Sequence, residues 1–245
     1  MNSFRIQKPV LWQSMPFYKK IQFYARSLTP AFAPYVDKLA AKQIVKRMCP
    51  ELRIARVIRV LTGPNDIYSD DIVSCRMVKS AHASRWNVQL TPGMDLTDLR
   101  DRLTSFYRPF RVADERQYDT IKPTLFIEEM IEDAVRGPGL PAIVYMVHCV
   151  YGRPMFFRTE VDNSRNTYTL DWRPIYPETS FIPRPPCEEM VRMAAKLSAP
   201  FEYVRIDFFL GKDGIYFSEF TFTPAAGSNV LPPEADRLLA TTWSR

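Results

Sequence analysis

Apolar residues recur along this chain first at helical spacing and then at strand spacing. Four segments carry apolar residues three or four positions apart, which predicts amphipathic helices over 17–28, after Asp37, after Asp95 and over 188–198. Runs rich in β-branched and aromatic residues predict strands over 54–60, 72–79, 124–131, 142–150 and 153–160. A loop and a short closing helix are expected over 225–245.

The strand pattern is clearest in residues 202–224, where two runs flank the tetrapeptide GKDG at 211–214. A three-residue loop that ends in glycine is a common hairpin connection, so we predict a β-hairpin with residues 212–214 as its loop. In this register Leu210 pairs with Tyr216. One face of the hairpin is then apolar and carries Val204, Ile206, Phe208, Leu210, Phe220 and Phe222.

The polar face of the same hairpin brings two carboxylates together. The register sets Asp207 opposite Glu219, and Arg205 opposite Thr221. Two like charges ~4 Å apart repel by roughly 4 kcal/mol near a protein surface, and a bound Mg²⁺ removes that penalty because it prefers carboxylate and phosphate oxygens. The hairpin therefore predicts a magnesium site at Asp207 and Glu219. The alternative is that Arg205 neutralises Asp207 while Glu219 faces solvent.

Three other polar patterns have less specific interpretations. Lys38, Lys42 and Lys46 form one stripe of the helix after Asp37, which is typical of a solvated face. The 17–28 helix could contact a membrane or a partner, although packing onto the main domain is favoured for so short a segment. His148 lies within a predicted strand, and we expect a core histidine whose hydrogen bonds are satisfied.

Composition indicates a globular protein. The chain has 245 residues, of which 46% are hydrophobic and 24% charged. It has no run near the ~18 apolar residues of a membrane span and no apolar core of a secretory signal. Its four cysteines are far apart and form no CxxC motif, which argues against a zinc site or a disulfide framework. These features favour the reduced cytoplasm.

The net charge of +6 would suit nucleic acid, an anionic membrane surface or a polyanionic substrate. The basic residues are scattered and no nucleic-acid-binding module accompanies them, so a nucleic-acid partner is not expected. Peripheral membrane contact stays open. Nucleotide phosphates and an acidic substrate would explain the excess equally well.

The hairpin also carries a family resemblance. The pattern V-R-x-D, followed by Y-F-x-E-x-T-F-T-P-x-x-G at 216–227, resembles the C-terminal signature of the TupA-like branch of the ATP-grasp superfamily. The resemblance extends upstream to Asp37-Lys38. It implies an α+β, ATP-grasp fold in which two α+β lobes sandwich ATP and the large lobe contains an antiparallel sheet. The implied division is a lead segment at 1–36, a small lobe with its preceding helix at 37–130, and a large lobe at 131–245.

The resemblance also implies roles for individual residues. The metal ligands would be Asp207, Glu219 and Thr221, with Thr221 at a position that is asparagine in many relatives. Arg205 would be catalytic and would stabilise the acylphosphate and the tetrahedral oxyanion. Lys79, at the end of a strand, would bind the phosphates and assist catalysis; the alternative is a surface lysine.

The remaining implied contacts are to ATP. The loop after Lys79 would cover the triphosphate through His82 and Ser84, although it lacks the glycines that let a backbone approach phosphate. The hinge strand would contact adenine through Glu128, Glu129, Met130 and Ile131. In that strand, Glu129 and Ile131 would use backbone groups, and Glu128 would close the pocket.

The implied activity is ATP-dependent carboxylate–amine ligation through an acylphosphate, which forms an amide and releases ADP, with ATP and Mg²⁺ as cofactors. The substrates would be small-molecule or glycan-linked carboxylates and amines, by analogy in cell-surface polysaccharide or teichuronopeptide-type biosynthesis. Two alternatives stay open. The chain could be a non-catalytic nucleotide- or glycan-binding protein, or an ATP-dependent phosphotransferase acting on a sugar hydroxyl.

Overall fold

The helices of the structure, a computed structural model that describes residues 4–111, 114–161, 164–175, 182–228 and 231–244, agree with the predicted pattern. The α-helices in the described residues are α1 (Phe17–Ser27), α2 (Ala33–Val36), α3 (Lys38–Met48), α4 (Leu96–Phe106), α5 (Cys187–Ser198) and α6 (Pro233–Thr242). The side chains of Asp37 and Asp95 accept hydrogen bonds from the first free amides of α3 and α4. Both aspartates are therefore the N-caps of these helices, which begin where the sequence predicted.

The strands form two separate sheets. They are β1 (Arg53–Ile54), β2 (Val57–Leu61), β3 (Arg76–Ser80), β4 (Asn87–Leu90), β5 (Leu125–Glu129), β6 (Val144–Val150), β7 (Arg153–Val161), β8 (Ser164–Tyr168), β9 (Tyr203–Gly211) and β10 (Gly214–Thr221). The larger sheet has six strands in the order β1-β10-β9-β6-β7-β8, and the smaller has four in the order β2-β5-β3-β4. Only the β1–β10 pair is parallel among these strands.

The predicted strand at 54–60 is in fact two strands. Arg53 and Ile54 pair with β10 of the large sheet, whereas 57–61 pairs with β5 of the small sheet. A periodicity argument cannot detect this crossing, because both halves are apolar and extended. The strand predicted at 72–79 begins only at Arg76, because the preceding residues form a turn in which Cys75 has a φ of 61°.

Each sheet has its own hydrophobic core. The small core lies between the four-stranded sheet and α4, with Val78, Leu99 and Ile127 at its centre. The large core joins the six-stranded sheet to α1, α3, α5 and α6. The apolar stripe of α1 is fully buried there, so the favoured interpretation of this helix, packing onto the main domain, is confirmed.

Helix α3 packs in a different lobe from the one expected. The prediction assigned α3 to the small lobe, but its buried residues Ala41 and Val45 belong to the large core. The lead segment likewise packs on the large sheet, through Trp12, Tyr24 and Phe32. Within the described residues, no helix is long and apolar enough to cross a membrane.

Candidate active site

The hairpin β9–β10 has the predicted cross-strand pairs where they matter for chemistry. Asp207 lies opposite Glu219, and Arg205 lies opposite Thr221, so this part of the register is confirmed. The turn was predicted wrongly. Gly211 pairs with Gly214 across a two-residue loop, which places Leu210 opposite Ile215.

A β-bulge reconciles the two registers. The pairing shifts by one residue between Phe217 and Glu219, so Ser218 is the extra residue in β10. The bulge also reverses the faces of β10 near the turn, and Ile215 and Phe217 are buried in the large core. Beyond the bulge, Phe220 and Phe222 are buried as predicted.

One guanidinium connects the polar residues of the hairpin. Arg205 Nε and Nη2 donate to the two carboxylate oxygens of Asp207 at 2.7 and 2.6 Å, and Nη2 also donates to Thr221 Oγ1 at 3.2 Å. Glu219 Oε1 lies 3.8 Å from Nη2 and accepts from Thr221 Oγ1 at 3.2 Å. The Asp207 side chain is 3% exposed and that of Glu219 is 34% exposed. The structure thus contains the Arg205–Asp207 pair, and the same guanidinium also lies near Glu219.

Burial shapes the electrostatics of this group. Burial raises the pKa of Asp207 to about 7, Arg205 opposes that rise, and Glu219 adds to it. Burial alone would lower the pKa of Arg205, but Asp207 and Glu219 outweigh it, so this guanidinium stays protonated. The pair of carboxylates is therefore under-neutralised and would gain from a second cation.

Three lysines lie close together near the hairpin. Lys79 Nζ lies 2.5 Å from Glu128 Oε1, and Lys42 Nζ lies 2.8 Å from Glu128 Oε2. Lys38 Nζ donates to the carbonyl oxygen of Ala83 at 2.5 Å. Burial lowers the pKa of Lys38, which also interacts with Glu219, Lys79 and Glu128. Two ammonium groups thus pair with Glu128, and the third, that of Lys38, interacts with Glu219 more than with Glu128.

The predicted solvated stripe on α3 is wrong for two of its three members. The Lys42 side chain is 8% exposed and Lys38 is partly buried, whereas Lys46 faces solvent. α3 packs against β10, which brings the first two lysines near the hairpin. Their spacing of four residues was visible in the sequence, but it could not distinguish a solvated face from a buried one. Glu128, predicted to close the nucleotide pocket, is the counter-ion of Lys42 and Lys79.

Lys79 also connects the two lobes. Its Nζ lies 5.6 Å from the ring centroid of Phe209 on β9, a cation–π distance. Lys79 of the small sheet and the two lysines of α3 therefore lie close to the acidic hairpin where the two sheets approach each other.

The loop between β3 and β4 is held by His82, which is fully buried. The Nδ1 atom of His82 accepts from Thr124 N at 3.1 Å, and Nε2 donates to the carbonyl oxygen of Arg108 at 2.9 Å. Both ring nitrogens have protein partners, so the predicted contact of His82 with the nucleotide is replaced by a role in positioning the loop. Ser84 is exposed at the loop tip.

His82 gives a pH prediction. Burial lowers the pKa of His82 below its ordinary value. The unfolded chain therefore binds more protons than the native state below about pH 6.5, and native stability falls as the pH drops. We expect urea unfolding of wild type to lose more stability between neutral pH and pH ~5 than that of His82→Gln, because the variant cannot titrate there. Parallel pH profiles for the two proteins would contradict this assignment.

The hinge strand packs tightly against the hairpin. The Glu129 amide donates to the Arg56 carbonyl at 3.0 Å, and the Ile131 carbonyl accepts from Ala142 N at 2.9 Å. Met130 is 7% exposed. A Cβ on Gly211 would lie 2.7 Å from Ile131 Cγ2, so only glycine fits where the hairpin meets the hinge. The predicted adenine contacts thus lie beside the end of β9.

Comparison with known proteins gives one family and several solved structures. The sequence profile described as TupA-like ATPgrasp matches residues 19–243. D-alanine–D-alanine ligase from Bacillus anthracis, complexed with ATP, is 15% identical with a TM-score of 0.46, over 77% of this chain and 54% of that chain. The ligase of the same name from Helicobacter pylori is 14% identical with a TM-score of 0.49, over 85% of this chain and 60% of that one.

A third similar structure is the ATP-grasp ligase PsnB, complexed with minimal precursor, Mg and ADP. It is 13% identical with a TM-score of 0.44, over 84% of this chain and 59% of that chain. This chain matches between 54% and 60% of the length of the three solved proteins. No curated protein sequence matches it significantly. The match over 19–243 confirms the predicted α+β ATP-grasp fold. The chain belongs to the TupA-like ATP-grasp family.

Proposed function

We propose that this protein is an ADP-forming ligase that uses ATP to join a carboxylate to an amine. One observation carries the proposal: the lysine cluster lies close to the carboxylate pair of the hairpin, and Arg205 contacts both carboxylates. Family membership supports the same activity. Lysines suit the triphosphate, and carboxylates suit the cation that accompanies it.

The hairpin residues fit Mg²⁺. The described residues contain no cluster of three or more His, Cys, Asp or Glu side chains that could hold a metal ion. Mg²⁺ needs only one or two carboxylates when phosphate oxygens and water complete its shell, and we assign Asp207 and Glu219 to it. Thr221 was predicted as a third metal ligand; because its hydroxyl bonds both Arg205 and Glu219, we propose instead that it orients Glu219. Bound Mg²⁺ would offset phosphate charge and help align the transferred group.

In the proposed reaction, a substrate carboxylate oxygen bonds to the γ-phosphorus of ATP while the β–γ bridging bond breaks and ADP leaves. The amine nitrogen then bonds to the acyl carbon, the bond from that carbon to the phosphoryl oxygen breaks, and phosphate leaves. The amine proton passes to solvent. Lys79 and Lys38 would hold the phosphates, and Arg205 would stabilise negative charge on the acylphosphate and the tetrahedral oxyanion.

The substrates are proposed to be acidic small molecules or glycan-linked carboxylates, together with an amine, in cell-surface polysaccharide or teichuronopeptide-type biosynthesis. The family name and the net charge of +6 support this class. A panel of carboxylates and amines, scored by ADP release and by product mass, tests the activity. An amide whose mass equals both substrates less water is the expected result. A phosphorylated sugar would instead indicate a phosphotransferase, and ATP binding without consumption would indicate a non-catalytic protein.

Lys79 gives a direct prediction about phosphate recognition. Lys79→Ala should weaken ATP binding by about tenfold to a hundredfold, the usual range for a lost hydrogen bond to a charged group. Adenosine has no phosphate, so its affinity should change little. Calorimetry with both ligands measures the difference, and Lys46→Ala is a matched control on the solvent-facing side of α3. An equal loss for ATP and adenosine would mean that Lys79 only supports the lobe.

A further inference from the structure

An apolar turn projects from the lead segment. Val10 is 100% exposed and Leu11 is 67% exposed, whereas the next residue, Trp12, is 2% exposed. The Trp12 amide donates to the carbonyl of Pro9 at 3.0 Å, which closes the turn. Trp12 Nε1 donates to the Trp243 carbonyl at 2.6 Å. Two adjacent aliphatic side chains are thus held outward by the buried Trp12. Such a pair differs from the single exposed apolar residues that are common on protein surfaces.

A basic cavity of about 580 Å³ lies beside this turn. It opens between the lead segment, the turn after β6 and the end of α6, and its polar lining includes Arg5, Lys8, Arg153 and the hydroxyls of Thr241, Thr242 and Ser244. Lys8 Nζ lies 5.8 Å from the Trp12 ring centroid, so the cavity and the anchored turn are contiguous.

The charge of this cavity is mostly unbalanced. Glu202 is buried, and its carboxylate pairs with Lys8 Nζ at 2.7 Å. It also accepts hydrogen bonds from Ile6 N at 3.1 Å and from Trp243 Nε1 at 3.2 Å. Arg5 and Arg153 form no ion pair with any part of the chain that the structure describes. Two guanidinium groups therefore remain for an external anion, and this pair suits a phosphate group.

We propose that this face docks on an anionic phospholipid membrane, with Val10 and Leu11 among the acyl chains and a headgroup phosphate between Arg5 and Arg153. Stable peripheral binding takes two signals, an apolar insertion and a basic patch. Here the apolar turn and the basic residue Arg5 lie within one short segment. Five residues separate Arg5 from Val10, so the two are at most ~18 Å apart. The helix that the sequence suggested for membrane contact, α1, is buried along its apolar stripe, so the exposed turn before it supplies the insertion.

The docking face is far from the proposed adenine contacts at the hinge. β9 runs from Tyr203, whose ring stacks on Trp243 at 5.1 Å, to Gly211 at the hinge. Those strand ends are roughly 26 Å apart at the usual rise per residue. Changes at the docking face should therefore leave ATP binding intact, which separates this proposal from the proposed ligase activity.

Co-sedimentation with vesicles tests the proposal. Wild type should bind vesicles of equimolar phosphatidylcholine and phosphatidylglycerol, and should not bind pure phosphatidylcholine. Val10→Ser with Leu11→Ser should weaken binding by about tenfold. Arg5→Ala with Arg153→Ala should weaken it by about 30-fold, at roughly fivefold for each basic residue near an anionic surface.

Matched controls lie elsewhere on the surface. Val60→Ser removes an aliphatic side chain that is 49% exposed on β2. Lys46→Ala with Arg47→Ala removes two exposed charges from α3. Both controls should bind vesicles like wild type, and every variant should keep wild-type ATP affinity.

Several results would overturn the proposal. Wild type could fail to bind anionic vesicles, or the Val10→Ser, Leu11→Ser variant could bind them as wild type does. The proposal would equally be wrong if the control variants lost as much binding as the arginine variant. Inorganic phosphate that binds the cavity without any vesicle binding would identify a site for free phosphate and would also contradict membrane docking.

Discussion

A lysine in place of Arg205 should leave ATP affinity near wild type and lower ligase turnover on the order of 10²-fold, the usual loss for one oxyanion donor. Arg205 uses its planar fork to hold both oxygens of Asp207 while Nη2 also reaches Thr221. A lysine ammonium keeps the charge but cannot make that set of bonds. Because negative charge on the acyl group is largest in the transition state, the loss should fall mainly on turnover.

Steady-state kinetics, with calorimetry for ATP, separates the two effects of this substitution. Arg165→Lys is a suitable control, since Arg165 forms a partly exposed ion pair with Glu160 at the edge of the large sheet away from the hairpin. Unchanged turnover in Arg205→Lys would remove Arg205 from the mechanism. A loss confined to ATP affinity would make Arg205 a binding residue that acts through Asp207 and the metal.

Glu128→Gln should destabilise the ligand-free protein by about 3 kcal/mol, the lower end of the range for breaking a buried ion pair. The Glu128 side chain is 3% exposed and is the counter-ion of both Lys42 and Lys79. An uncharged amide would leave two buried ammonium groups without a carboxylate. Urea unfolding measures the change.

The neighbouring residue provides the control for this prediction. Glu129 pairs with Arg56, whose side chain is 75% exposed, so Glu129→Gln should cost less than about 1 kcal/mol. Saturating Mg²⁺-ATP should stabilise Glu128→Gln more than wild type, because the triphosphate would replace the missing negative charge beside the lysines. Equal stabilisation of both proteins by ATP would mean that the lysine cluster does not face the phosphates.

The sequence was most informative where one motif fixed local geometry. The alternation in β9 and β10 predicted the Asp207–Glu219 pair, because strand side chains alternate and a slip would have exposed Phe220 and Phe222. The register at the turn could not be predicted. The loop is one residue shorter than expected, and the bulge at Ser218 adds one residue to β10, so the Asp207–Glu219 and Arg205–Thr221 pairs are the same in both registers.

Other features depended on tertiary contacts that periodicity does not contain. Lys38 and Lys42 have the spacing of a solvated stripe, and only the position of α3 against β10 brings them near the hairpin. Two partners of His82, the Thr124 amide and the Arg108 carbonyl, are distant in sequence. The helices α1 and α3 could be predicted from the sequence, but the packing of their buried faces in the large core could not.

Transfer of ¹⁸O from a labelled carboxylate to inorganic phosphate tests carboxylate activation most directly. A carboxylate that the panel identifies as a substrate is labelled with ¹⁸O and incubated with Mg²⁺-ATP, the amine and the protein, and the phosphate released is measured by ³¹P NMR. If the carboxylate oxygen bonds to the γ-phosphorus, each phosphate should carry one ¹⁸O atom, and the amide should form in equal amount. Phosphate without label, released alongside the amide, would contradict the acylphosphate route.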